Sequence, residues 1–310
     1  MKVTYGIENI VSVAHTVSTL GSYDGLHLGH RDILQVLKHK RDSGGHARAV
    51  VLTFDPHPQE VLRRNDTTVN LLTTIDERLA LLAETGIDET VVIKFDRQFS
   101  QTPYADFFRE VIVEGLGTDA MVVGFNHAFG KNREGDIAHL EQLGAASGVE
   151  ITEVPPHIVD GVQISSTKIR HALQEGDVQT AHLFLGRPYA VRGVVVDGNK
   201  IGRTLGYPTA NLSIAPNKLV PKDGVYAATA RLSSGTVRAA VSIGMRPTIG
   251  DGLARVVEAL LLDFDGDLYG ATLELQLLQH IREQIAFATL DELKAKITED
   301  VTTVRSLVTL

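Results

Sequence analysis

The chain has 310 residues, 43% of them hydrophobic, with 28 Gly, 10 Pro and a formal net charge of -8, a composition that supports two globular cores. The absence of Cys and Trp excludes a disulfide framework, a thiolate metal site and a cysteine nucleophile, and fits a reducing cytoplasm. Acidity disfavours a nucleic-acid surface. MKVTYGIENIVSVAH holds no signal-peptide core, and no apolar stretch approaches the roughly 20 residues that cross a bilayer. The expected partners are small molecules, with no nucleic acid and no membrane; anionic ones would need locally basic pockets, and homo-oligomer formation stays open.

From 16 to about 154, the apolar runs TVSTL, AVVLTF, TVVIKF, AMVVGF and VEITEV alternate with helical stretches such as 76–86 and 103–114. That alternation predicts an α/β domain built on a doubly wound parallel sheet. Between TVSTL and the helical RDILQVLKHK, apolar at 33, 34 and 37, sits GSYDGLHLGH (21–30). A last helix is predicted near 166–185. At LGRPYAVRG the chain changes to VRGVVV, GVYAATARL, TVRAAVSIG, VVEALLLDF and ATLELQLL, separated by Gly, Pro and Asp turns. Regular short strands of this kind predict a small barrel or sandwich. Residues 289–309, opened by the capping-box-like Thr289-Leu-Asp-Glu292, predict a helix packed across it. The domains are accordingly drawn as 1–185 and 186–310.

In a parallel sheet, ligands gather at the carboxyl ends of the strands, where the following helix offers unpaired N–H groups and a positive dipole end. Gly25 and Gly29 permit close backbone approach there, and His27 and His30, spaced i and i+3, can both face an anion. The alternative is that these histidines only cap a turn. Competing motifs fail on context. Gly115-Leu-Gly117-Thr-Asp-Ala120 fits a dinucleotide fingerprint but precedes a strand, and Gly124 to Lys131 is followed by Asn132, not by the Ser or Thr of a phosphate loop. Ser165-Ser-Thr-Lys168 has no SDN or KTG companion, and the histidines lack zinc spacing.

HxGH after a strand and before a helix resembles the nucleotidyltransferases that activate with ATP or CTP. TFDPHP (53–58), VVGFNHAFGKNREG (122–135) and ISSTKIR (164–170) join GSYDGLHLGH in the order found in the adenylyltransferase module of bacterial bifunctional FAD synthetases. GRTLGYPTANL (202–212) and VVEALLLDFDGDLYG (256–270) resemble the riboflavin kinase module fused to it. The resemblance implies a small antiparallel barrel for the second domain, phosphorylation of riboflavin to FMN, and adenylylation of FMN to FAD with ATP. It makes Glu258 the base for the riboflavin hydroxyl, and Thr209 and Asn211 the oxygen ligands of Mg²⁺ beside Pro208. Gly198, Gly202 and Arg203 would wrap the ADP phosphates. In the first domain, His27 and His30 with Gly25, Gly29, Asn126, Ser166, Thr167 and Arg170 would cradle the triphosphate of ATP, and Pro56, His57 and Pro58 would line the FMN site. Lys131 and Arg133 add positive charge.

Each of these residues also has a plainer role. Ser166 and Thr167 suit a helix N-cap with Arg170 on a solvated face, Pro-His-Pro suits a structural turn, Thr209 and Asn211 suit a turn, and Glu258 suits an exposed strand face. The chain departs from the family at Gln163, where a basic residue is common, at His127 and Ala128, at Tyr23 and at Ser242. Two other functions therefore stay open: a riboflavin kinase with a weakened or inactive adenylyltransferase half, and a flavin or nucleotide sensor without turnover.

Overall fold

The apolar runs of the first half become strands of one parallel sheet, and those of the second half close into a barrel. The computed structural model describes residues 1–62, 69–125, 135–198, 201–232, 234–247 and 253–310, and its contacts divide into two units, Met1–Ser166 and Thr167–Leu310.

The first unit runs β1 (Lys2–Tyr5), β2 (Thr16–Leu20), α1 (Leu28–Gly44), β3 (Arg48–Asp55), α2 (Pro58–Leu62), α3 (Ile75–Ala83), β4 (Glu89–Lys94) and α4 (Tyr104–Phe107), which continues as a π-helical stretch, Phe108–Gly115. Then come β5 (Thr118–Gly124), α5 (Ile137–Ser147), β6 (Glu150–Val154), the small hairpin β7 (Ile158–Val159) and β8 (Val162–Gln163), and the first residue of α6 (Ser166–Gln174). The sheet order is β1-β4-β3-β2-β5-β6, parallel throughout. All five residues of β2 are buried, as expected for a strand covered on both faces. One face packs Val50, Leu52 and Val91 against Phe108 and Ile112; the other packs Ala49 and Val51 against Leu34 and Leu37 of α1. The predicted apolar stripe of α1 thus faces the sheet. The edge strand β1, lying before the first long apolar run, went unpredicted. Strand order reverses between β2 and β5, so the crevice for a ligand opens at their carboxyl ends, where GSYDGLHLGH follows β2.

The second unit holds the rest of α6, α7 (Val178–Leu185), β9 (Tyr189–Val196), α8 (Ile201–Thr204), β10 (Thr209–Ile214), β11 (Gly224–Leu232), β12 (Gly235–Pro247), β13 (Leu253–Leu261), β14 (Thr272–Arg282) and α9 (Leu290–Leu307). The six strands close as β10-β13-β12-β11-β14-β9. Val195, Leu212, Val257 and Ile243 fill one interior layer. α9 lies over the outer face, burying Val304 and Val308 against Ala227, Ala240 and Leu260. Arg282 clasps α9 through a two-pronged pair with Asp300, 2.9 and 2.7 Å. Thr289 caps α9 by accepting from the Glu292 N–H.

One expectation is corrected. The single helix over 166–185 is two, α6 and α7, because Gly176 takes a left-handed φ of 82° and Asp177 starts a new helix by accepting from the Thr180 N–H. Both contribute buried side chains, Leu173 and Phe184 among them.

Beneath the sheet, Glu89 is 3% exposed and takes hydrogen bonds from Thr4 (2.6 Å), Lys2 (2.9 Å) and Arg48. Burial pushes its pKa up, but those donors and the Arg48 charge outweigh it and hold the carboxyl below its ordinary value. Glu89→Gln should therefore destabilise the first unit by about 3 kcal/mol in urea unfolding, since it leaves the buried Arg48 guanidinium without its counter-ion. In the wild type this stabilisation is complete above the unfolded-state pKa and is lost as pH falls through the depressed folded value.

Candidate active sites

The loop from β2 to α1 is held in a strained conformation by buried groups. Tyr23, Gly25 and Leu26 all have positive φ (48°, 82° and 38°), which only glycine adopts without cost. The Asp24 carboxylate, 0% exposed, offsets that cost. It accepts from the Leu72 N–H (3.0 Å), the Thr73 N–H (2.8 Å) and the Thr73 hydroxyl (3.1 Å). Thr73 Oγ1 in turn accepts from the Gly25 N–H at 3.0 Å. Tyr23 is buried with its hydroxyl 2.6 Å from Thr19 Oγ1, and burial drives its pKa well above the ordinary phenol value.

His27 is the N-cap of α1, its Nδ1 accepting from the His30 N–H at 3.3 Å. The two imidazoles stack with centroids 3.7 Å apart and planes 13° from parallel, and Tyr23 meets His30 edge-on at 5.1 Å. The predicted spacing therefore brings both rings together at a helix N-terminus, and His27 also performs the plainer capping role. Gly29 stands in the first turn, where a Cβ would touch the His27 ring at 3.4 Å.

The Pro56-His57-Pro58 turn sits at the carboxyl end of β3, next to β2 in the sheet. Asp55–Pro56 is a cis bond, and Pro58 opens α2. His57 is 5% exposed; its N–H donates to Glu60 Oε2 at 2.8 Å and its Nδ1 accepts from the Gln59 N–H at 3.2 Å. Arg78 of α3, 1% exposed, donates to Thr53 Oγ1 (3.1 Å) and to the Phe54 carbonyl (3.0 Å). Burial lowers the pKa of Arg78 and raises that of Asp55, with each charge opposing the other's shift. Asp24, Thr73 and Arg78 are supports the sequence reading missed; the TTIDER string that carries two of them reads only as a helix start.

Ser166 is the first helical residue of α6 rather than its N-cap, and its hydroxyl donates to the Asp24 carbonyl at 2.9 Å. It is thereby tied to the His27 loop. Thr167 is exposed and Arg170 half-buried on the same helix, beyond the contact border. Asn126, Lys131 and Arg133, with His127 and Ala128, lie outside the described residues.

On the barrel, register assembles the second candidate site. Asn211 of β10 pairs directly with Glu258 of β13, which pairs on its other side with Ser242 of β12. The neighbouring row, Leu212, Val257 and Ile243, points inward, so this row points outward. Thr209 lies two residues from Asn211 on the same face, opposite Leu260 under α9. Thr209 and Asn211 are thus strand residues, not turn residues: the β10 ladder to β13 begins at Thr209, directly after Pro208, whose missing N–H would break it. Asn211 is 8% exposed and Glu258 half-buried. Gly198 abuts the Asn211 amide, leaving no room for a Cβ, and Gly202 packs against the Tyr207 carbonyl. Arg203 is exposed on α8. A donor absent from the sequence reading is Gln284, whose amide gives hydrogen bonds to Ser242 Oγ and the Ile243 carbonyl, both 2.9 Å. Among the described residues no cluster of three or more His, Asp or Glu forms a metal site.

The chain thus joins a parallel α/β unit with a histidine-bearing loop at its switch point to a closed barrel carrying a carboxylate beside a Thr/Asn pair. The FAD synthetase family model matches residues 10–168 and the riboflavin kinase family model residues 185–308. The bifunctional riboflavin kinase/FMN adenylyltransferase of Escherichia coli K12 is 37% identical across 98% of this chain and 97% of its own. That of Haemophilus influenzae is 34% identical across 99% of both. A crystal structure described as a macrolide-efflux protein from Streptococcus pneumoniae superposes with a TM-score of 0.90 at 30% identity, covering 98% of this chain and 99% of the other. No helix among the described residues is long and apolar enough to cross a membrane. The chain belongs to the bifunctional riboflavin kinase/FMN adenylyltransferase family.

Asp24→Ala should cost about 3 kcal/mol, because it leaves two buried N–H groups without an acceptor, and should raise the amide hydrogen exchange of residues 71–74 before that of the sheet.

Proposed function

We propose that the second unit transfers the γ-phosphoryl group of ATP to the 5′-hydroxyl of riboflavin, and that the first unit joins the resulting FMN to the adenylyl group of ATP with release of pyrophosphate. The observation that carries the reading is the outward row Asn211–Glu258–Ser242, with Thr209 beside it, on the barrel face next to α9.

Glu258 is the base. The riboflavin hydroxyl is a weak acid, and a half-buried carboxylate held on a closed barrel receives its proton as the oxygen attacks phosphorus. Thr209 and Asn211 supply neutral oxygens suited to Mg²⁺, a hard ion that completes its shell with water and phosphate oxygens and neutralises phosphate charge. Gly198, Gly202, Arg203 and Pro208 shape the loop for the ADP phosphates. Gln284 fixes Ser242 next to the base.

Adenylylation needs no strong base, since the FMN phosphate is already an anion; it needs two anions held in line. With its Nδ1 accepting from the His30 N–H, His27 keeps its Nε2–H as a donor, and with the stacked His30 beside it this donor and the helix dipole favour a triphosphate at the α1 N-terminus. Ser166 positions the loop through Asp24. Asn126, Thr167 and Arg170 keep the ATP-binding roles implied by their strings, and Pro56, His57 and Pro58 the FMN-lining role.

Two substitutions separate the reactions. Glu258→Gln is expected to reduce FMN formation from riboflavin at least about 100-fold while supplied FMN is still converted to FAD. His30→Ala is expected to do the reverse. Chromatography of flavin products, starting separately from riboflavin and from FMN, reads both. FMN accumulation without FAD in the wild type would leave a kinase alone, and tight flavin binding without any product would leave a sensor.

A further inference from the structure

We propose that His157, oriented by Asp32, is a third imidazole of the ATP site in the first unit and grips the pyrophosphate end of the nucleotide; this rests on the adenylyltransferase reading above. His157 lies in the loop after β6, at the carboxyl edge of the sheet, and its carbonyl accepts from the Ile164 N–H at 3.0 Å, just ahead of Ser166. Its Nδ1 meets Asp32 Oδ2 at 2.6 Å. Asp32 stands in the first turns of α1, the helix capped by His27.

The link between this pair and the paired imidazoles is Gly29. A Cβ built there would sit 3.4 Å from the His27 ring and 3.6 Å from His157 Cβ, so both residues border the same glycine. As the imidazolium, the ring would donate Nδ1–H to Asp32, which orients it, and present Nε2–H as the second donor. The side chains are 30% and 37% exposed, which leaves the ring within reach of a ligand. A carboxylate by itself at a polyphosphate site would repel its ligand; paired with His157 it becomes the orienting partner of a cation. Among the described residues, Asp32 pairs with the ring, and His27 and His157 both border Gly29. The polyphosphate tail is charged before and after transfer, so the contact is uniform binding and its loss shows in KM more than in kcat.

The test follows FAD formation from FMN and ATP, with inorganic pyrophosphate as inhibitor. His157→Gln should raise the KM for ATP and weaken pyrophosphate inhibition by about tenfold each, the effect of one charge-assisted hydrogen bond, with kcat changed less than about threefold. His157→Lys should restore both, because it restores the charge. Riboflavin phosphorylation by the same preparations should be unchanged, which reports an intact fold. Unaltered KM and inhibition in His157→Gln, or a His157→Lys enzyme as impaired as His157→Gln, would show an ordinary surface ion pair and overturn the proposal. A wild type that forms no FAD overturns the adenylyltransferase reading first, a separate outcome.

Discussion

The first unit depends on one buried carboxylate. Asp24 carries a charge at 0% exposure, which is tolerable only because its oxygens receive directed N–H and O–H donors from Leu72 and Thr73. These bonds hold a loop in which Tyr23, Gly25 and Leu26 all have positive φ, and the Asp24 carbonyl then receives Ser166. The stacking of His27 on His30 follows from where that loop delivers the chain to α1. The groups at the N-terminus of α1 are thus held in place by buried hydrogen bonds made well away from the imidazoles.

The second unit solves the same problem differently. No special loop is needed to bring Glu258, Asn211 and Ser242 together, because antiparallel register places them on adjacent strands with side chains on a common face. Barrel closure removes free edges and fixes the strands against sliding. α9 packs on that face, burying Leu260, while Glu258 and Ser242 of the neighbouring row stay half-buried, and the Arg282–Asp300 pair keeps the helix in place.

What could be read in advance follows from the range of the interactions involved. The parallel strands of the first half were recognisable because burial on both faces makes them continuously apolar, and the barrel strands because turn residues punctuate them. β1 escaped notice because an edge strand needs only a few residues, and β10 because Pro208 and Asn211 look like a turn until the pairing with β13 is seen. The break between α6 and α7 rests on Gly176, one residue in a polar stretch. His27, His30 and Glu258 were visible as members of strings. Asp24 stood in the same string as His27, yet its role depends on Thr73, 49 residues away, and Arg78 and His157 depend on contacts no local pattern records.

The alternation that aims Glu258 outward also points Val257 inward. Gaining or losing a single residue within β13 would exchange them, burying the carboxylate in an aliphatic layer and leaving a valine beside Asn211 and Ser242. Insertions and deletions in descendants of this chain should therefore accumulate in the connections between strands and spare the strands themselves, so that the kinase unit changes length over evolution only where the ladder is interrupted.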